Sequence, residues 1–235
     1  MSKVINEFSR FADQYNKYNM IQAEVAKVLV SKLPKSSYSN ILDFGSGSGE
    51  VYKNIDSLGI EFSTFIAFDS SKNMLNIHPT SSKIKKICGD FNSHNFREKL
   101  SKEKYSLIIS ASALQWSTNL NFTLSELAKL SHELRATIFT SNTFKTLHQT
   151  ANITSPIYSA TYLKNAIKNS YANVEFELQT YKLYFDSVRE MFKYIKKSGV
   201  SSGEKKLSFK EMKHLMSNYP LDYLEFEVLF VRASN

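Results

Sequence analysis

The sequence predicts a doubly wound α/β fold with a seven-stranded sheet, an N-terminal helix ahead of it and a helical insertion before the last strand. Three observations lead there. Five short apolar runs alternate with helical patterns, a glycine-rich loop follows the first run, and two late stretches alternate apolar and polar residues with period two. Strands spaced by helices indicate a parallel sheet covered on both faces.

Taken in order, residues 17 to 33 read as an amphipathic helix with Ile21, Val25, Val28 and Leu29 at i, i+4, i+7 and i+8, and Pro34 ends it. Ile41 to Phe44 is the first strand, and Val51, Ile55 and Leu58 mark the inner face of the next helix. Phe62 to Phe68 is the second strand, followed by a short helix from Asn73 to Ile77. Ile84 to Cys88 and Tyr105 to Ser110 are the third and fourth. A helix carrying Leu124, Leu127 and Leu130 leads to the fifth, Ala136 to Thr140. In the last third, Val174, Phe176 and Leu178 alternate with Glu175, Glu177 and Gln179, and Leu224, Phe226, Val228 and Phe230 alternate likewise. Such alternation predicts an antiparallel edge pair with one wetter face. Between them lie helical stretches at roughly 187 to 197 and 208 to 217, split by the Ser/Gly-rich run 198 to 203.

Composition narrows the class. A chain of 235 residues, 42% hydrophobic and 13% aromatic, suits one α/β domain with a full core. No apolar run approaches a membrane span, and the opening Met1-Ser2-Lys3-Val4 lacks the layout of a secretory signal. The expectation is a soluble cytoplasmic protein without membrane contact. Cys88 is the single cysteine, so a disulfide framework and a cysteine-built zinc site are excluded. It reads as a small core residue, and no metal site is expected. The balance of 30 Lys+Arg against 22 Asp+Glu gives a formal charge of +8, which attracts acidic partners such as nucleic acid or an acidic carrier protein. Solubility alone would also account for it.

Ile41-Leu42-Asp43-Phe44-Gly45-Ser46-Gly47-Ser48-Gly49-Glu50 is the most informative stretch. Glycines permit positive φ and let a ligand approach the backbone. A Gly45-x-Gly47-x-Gly49 loop between strand and helix places a nucleotide-type ligand at the carboxyl end of the first strand. The dinucleotide fingerprint needs its third glycine at 50, where Glu50 stands, and no Gly-Lys-Ser/Thr follows as a P-loop requires. Asp69 closes the second strand twenty residues after Gly49, where it could accept both ribose hydroxyls or cap the next helix. Asp90-Phe91 follow the third strand.

The loop with Asp43 before it resembles motif I of the class I S-adenosylmethionine-dependent methyltransferases, whose Rossmann-like fold the element order matches. That resemblance implies S-adenosylmethionine as cofactor, with Asp43, Gly45, Gly47, Gly49, Asp69, Asp90 and Phe91 around it. Asp90 would meet the adenine amino group, and Phe91 would pack on the ring. After the fourth strand comes Ser110-Ala111-Ser112-Ala113-Leu114-Gln115-Trp116. The Asn/Asp-Pro-Pro-aromatic motif of nucleobase amine methylation is not there, and Cys88 is not placed for attack on cytosine, so nucleic acid is not the expected partner.

This stretch, ending in Gln115-Trp116, resembles the malonyl-acyl-carrier-protein O-methyltransferases of biotin synthesis. Phe8-Ser9-Arg10-Phe11-Ala12 with Tyr15 and Gln22, Phe139-Thr140 followed by Leu147-His148-Gln149, Lys193, Lys196 and Gly199, and Tyr219-Pro220-Leu221-x-Tyr223 ahead of Arg232 extend the likeness along most of the chain. His132-Glu133-Leu134-Arg135 departs from it by replacing the usual Pro-Gly turn, and the Ser-rich loop after Gly199 is unlike the family. The layout implied is an N-terminal helical segment over 1–37, a cofactor-binding core over 38–170, and C-terminal strands with a helical substrate insertion over 171–235, all in one domain.

The implied reaction is O-methylation of the free carboxylate of malonyl-acyl carrier protein. A carboxylate is ionised at neutral pH, so no general base is needed, and the protein has to position it and exclude water. Tyr15 and Gln115 are the candidates for holding that carboxylate, although Tyr15 could simply pack and Gln115 could cap the next helix. Trp116 and His148 are candidates for lining the substrate. Lys193 and Lys196, at i and i+3, share a helical face and could grip the acidic carrier. Methylation of another small molecule, such as a quinone precursor or a free dicarboxylate, and a binding module without turnover are the alternative readings.

Overall fold

A computed structural model of the chain describes residues 18–34, 37–100, 104–198 and 207–235. Seven strands form one sheet in the order β3-β2-β1-β4-β5-β7-β6. They are β1 (Tyr38–Phe44), β2 (Phe62–Asp69), β3 (Ile84–Cys88), β4 (Leu107–Ala111), β5 (Glu133–Phe139), β6 (Asn173–Tyr184) and β7 (Tyr223–Ser234). The first five pair in parallel, and β7 runs antiparallel to both β5 and β6. Every strand read from the sequence is present, and the order reverses on either side of β1. A crevice at the carboxyl ends of β1 and β4 is the ligand position that such a reversal creates.

Among the described residues, eight α-helices wind around the sheet: α1 (Met20–Ser31), α2 (Glu50–Ser57), α3 (Lys72–Ile77), α4 (Leu120–Leu130), α5 (Lys145–Ala151), α6 (Ala160–Lys168), α7 (Val188–Ser198) and α8 (Phe209–Asn218). Strand alternation sorts the core into two layers. Ile41, Phe65, Ala67, Leu107 and Ile109 meet Val25 and Leu29 of α1, Val51 and Ile55 of α2, and Met191 and Leu215 of the α7–α8 insertion. Leu42, Phe44, Ile66, Phe68 and Ile108 meet Leu124 and Leu127 of α4 and Leu163 and Ile167 of α6 on the other face. The apolar runs of β1 and β2 are therefore continuous because both of their faces are covered.

Three expectations are corrected. Leu58 is not on the inner face of α2. It is the helix C-cap, before the left-handed Gly59, and is 47% exposed. Cys88 is exposed rather than a core residue, because it ends β3, the outermost strand, where only β2 flanks it. The two late strands are antiparallel as expected, yet of that pair only β6 lies at an edge of the sheet. β7 is inserted between β5 and β6, which is why Leu224, Phe226, Val228, Leu229 and Val231 are all buried.

Candidate functional site

The β1–α2 loop carries three glycines with positive φ, at 82° for Gly45, 51° for Gly47 and 89° for Gly49. Their reasons differ. A Cβ at Gly45 would lie 2.2 Å from Ala113 Cβ, and one at Gly49 would lie 2.6 Å from Pro79 Cδ and 2.9 Å from His78 Cδ2. At Gly47 a Cβ would meet nothing within 4 Å. Gly45 and Gly49 are thus demanded by the protein's own packing, and Gly47 alone opens onto free space. The loop is tied to β2 by the N–H groups of Gly45 and Ser46, both donating to the Phe68 carbonyl at 2.8 and 3.0 Å.

Asp69 joins the loops after β1 and β2. Its Oδ2 accepts from the Gly47 N–H at 2.9 Å and its Oδ1 from the Ser71 N–H at 2.7 Å. It does not cap α3; Ser71 does, with Oγ accepting from the Met74 N–H. Burial pushes the Asp69 carboxyl upward, and the backbone N–H groups of Ser71 and Gly47 oppose that. Asp43 is fully buried with neither carboxyl oxygen hydrogen-bonded. Burial, reinforced by the charge of Asp69, pushes it well above the ordinary carboxylate range. After β3, Asp90 Oδ1 accepts from the Asn92 N–H at 2.9 Å, and Phe91 packs 5.3 Å from Phe44, centroid to centroid. Asn92 then bridges to the far wall, donating through Nδ2 to the Trp116 carbonyl and accepting from the Thr118 N–H.

That wall is the turn after β4. Ser112 takes a left-handed φ of 58° and donates its N–H to the Thr137 carbonyl at 2.9 Å. Gln115 is buried, and its Nε2 donates to the Ser112 carbonyl at 2.6 Å. It does not cap the next helix, since Asn119 holds that position on α4.

These walls line a partly open cleft formed by the loop at Gly47, by Asp69, Asp90 and Phe91, and by Ser112 and Trp116. Strand ends therefore bring together Gly45, Gly47, Asp69, Asp90, Phe91 and Trp116 of the expected set, while Asp43, Gly49 and Gln115 stand just behind the lining. His148 is buried on α5 and Lys193 is exposed on α7, neither of them in the lining. Lys196 lies on α7, its side chain outside the described residues, as is Tyr15. Sequence reasoning missed several contributors: Gln22 of α1, Ser46, Ser48, Met74, Asn92 and Ser112. Gln22 gave a usable signal, a polar residue on a face otherwise made by Val25, Ala26 and Leu29.

Among the described residues, no group of three or more His, Cys, Asp or Glu is arranged to hold a metal ion, and no helix is long and apolar enough to cross a membrane. The donor set instead suits a cationic nucleotide-like ligand. Asp69, Asp90 and Glu50 line a cleft that is open at Gly47, with Asp43 buried behind them.

Comparison with known proteins agrees with this geometry. Residues 42–133 match a family described as a methyltransferase domain. A malonyl-[acyl-carrier protein] O-methyltransferase of Buchnera aphidicola is 26% identical over 231 residues, covering 93% of this chain and 90% of that protein. One from Bacillus cytotoxicus is 25% identical over 215 residues, covering 83% and 74%. Among solved structures, a SAM-dependent methyltransferase from Thermotoga maritima superposes with a TM-score of 0.57 at 15% identity, covering 98% of this chain and 99% of that one.

Proposed function

We propose that this chain, an S-adenosylmethionine-dependent methyltransferase, methylates the free carboxylate of a malonyl group held as a thioester on acyl carrier protein. The enzyme class and its cofactor are the premise. The choice of acceptor is carried by the likeness to a malonyl-[acyl-carrier protein] O-methyltransferase along 93% of the chain.

S-adenosylmethionine, when bound, supplies a methyl group on a positively charged sulfur. Asp69 would accept the ribose hydroxyls on the lone pairs left over from Gly47 and Ser71, and Asp90 with Phe91 would take the adenine. The buried, unpaired Asp43 carboxyl beneath the loop fits a ligand of positive charge, because a cation nearby favours its ionised form. The lining on the β4 side is neutral, made by Ala111, Ser112, Ala113 and Trp116. Neutral walls suit an acceptor that arrives already ionised, since a fixed cation there would blunt its nucleophilicity. Positioning and exclusion of water are then what the chain contributes to the reaction.

Tyr15 is assigned to the acceptor carboxylate. Lys193, exposed on α7, and Lys196 on the same helix are assigned to the acidic surface of the carrier, with Trp116 and His148 on the acyl side. The test is genetic: this chain should allow growth without biotin in a bacterial strain that lacks its own malonyl-carrier methyltransferase. Expression of a folded, cofactor-binding protein with no growth would overturn the reading.

A further inference from the structure

We infer that Gln115 is a positioning residue, which holds the turn after β4 in a strained conformation so that this turn can seat the cofactor loop. It rests on the cofactor assignment and not on the identity of the acceptor. Ser112 has a Cβ yet occupies the left-handed region at φ 58°, a conformation that persists in a non-glycine residue only when its surroundings impose it. Two hydrogen bonds impose it here. The Ser112 N–H is held by the Thr137 carbonyl of β5 at 2.9 Å, and the Ser112 carbonyl is held by the Gln115 amide at 2.6 Å.

What the strained residue achieves is visible one position on. Ala113 is buried and stands so close to Gly45 that a Cβ there would come within 2.2 Å of its own. The first glycine of the cofactor loop and the first residue after the strained serine are therefore interlocked. Trp116 is fixed to the same turn through its N–H, which donates to the Ala113 carbonyl at 3.0 Å. The Gln115 side chain thus reaches back across three residues to set the wall that faces Gly47. Without its N–H donor, residue 112 can relax toward an ordinary φ, which withdraws Ala113 from Gly45 and deforms the cleft.

The mechanism predicts a dependence on residue 112 that direct substrate contact would not. Glycine adopts positive φ without penalty, so a glycine at 112 has no need of the brace. Gln115→Met keeps length and removes the donor. Calorimetry with S-adenosylhomocysteine as the probe should find it weakening affinity about tenfold, the scale of one hydrogen bond. In the Ser112→Gly background the same substitution should cost less than about twofold, a coupling read directly by the double-mutant cycle. Equal losses in the two backgrounds would overturn the inference, and so would wild-type affinity for Gln115→Met alone. Because the readout is cofactor affinity, it stands whichever acceptor the enzyme methylates; a wild-type enzyme that ignores malonyl-carrier protein would refute the proposed substrate and leave this cycle unaffected.

Discussion

The Gly47 N–H donates to the Asp69 carboxylate at 2.9 Å, so the residue that opens the cofactor loop and the acid that ends the second strand are one unit. Asp69 both shapes the loop and lines the cleft. Asp69→Ala removes both functions and should weaken S-adenosylmethionine binding by about 1.5–3 kcal/mol, the value of a hydrogen bond to a charged group. Asp69→Asn can still accept from one N–H through its amide oxygen and should lose less. Calorimetry on the two variants checks the order; equal losses would mean that the loop tie is idle.

Gly45 and Gly47 should fail differently. Gly47→Val has open space around its Cβ, so the protein should fold with only the backbone strain of a left-handed residue, roughly 1–2 kcal/mol, while cofactor binding is abolished. Gly45→Val drives a side chain into Ala113 and should lower the melting temperature of the cofactor-free protein far more. Thermal unfolding without ligand separates the two. A Gly47→Val protein that still binds the cofactor would remove the assignment of the loop.

Asp43 sets a pH dependence whose sign is fixed. Its carboxyl in the folded protein lies well above the ordinary value of 3.8. Its stabilising contribution is therefore full below that value and is lost as pH rises through the raised one. Wild type should fall behind Asp43→Asn by up to about 1.4 kcal/mol per pH unit across that window and then level off. Bound cofactor reverses the preference, because a cation favours the ionised carboxyl. Wild-type affinity for S-adenosylmethionine should drop as pH falls through the raised value, and the Asp43→Asn profile should be flat. Parallel melting curves at every pH for the two proteins would show that Asp43 does not titrate as its burial requires.

The charge on α7 is tested by kinetics. Lys193→Glu should raise the apparent KM for the carrier-borne substrate, mainly by slowing association. The loss should shrink with salt, since the screening length falls from about 8 Å at physiological ionic strength to about 3 Å at 1 M. A small thioester mimic without the carrier should be turned over alike by both proteins. An equal loss with the mimic would place Lys193 in the acceptor site instead.

The sheet was legible because its signals are local and repeated. Ile41 to Phe44, Phe62 to Phe68 and Ile84 to Cys88 are apolar or β-prone runs bounded by turns, and each is a strand. The acids at the ends of β1, β2 and the loop after β3 were legible because their spacing follows the strands. What escaped depends on contacts between distant segments. Cys88 is exposed because β3 became the edge, a property of strand order that no window of sequence contains. That packing also demands glycine at 45 and 49 shows only when Ala113, His78 and Pro79 are seen against them. Gln115 was found, but its amide is turned to the Ser112 carbonyl. The strain of Ser112 had no sign in the sequence, since serine rarely adopts a left-handed φ.

The identity of the acceptor is decided by one competition assay. The enzyme is incubated with S-adenosylmethionine carrying an isotopically labelled methyl group and with malonyl-acyl carrier protein, free malonate and a phenolic quinone precursor in competition. Mass spectrometry then locates the label. A single labelled methyl ester on the malonyl group of the carrier protein is expected, with little label on free malonate. Label on the phenol, with the malonyl carrier left unmodified, would contradict the proposed acceptor.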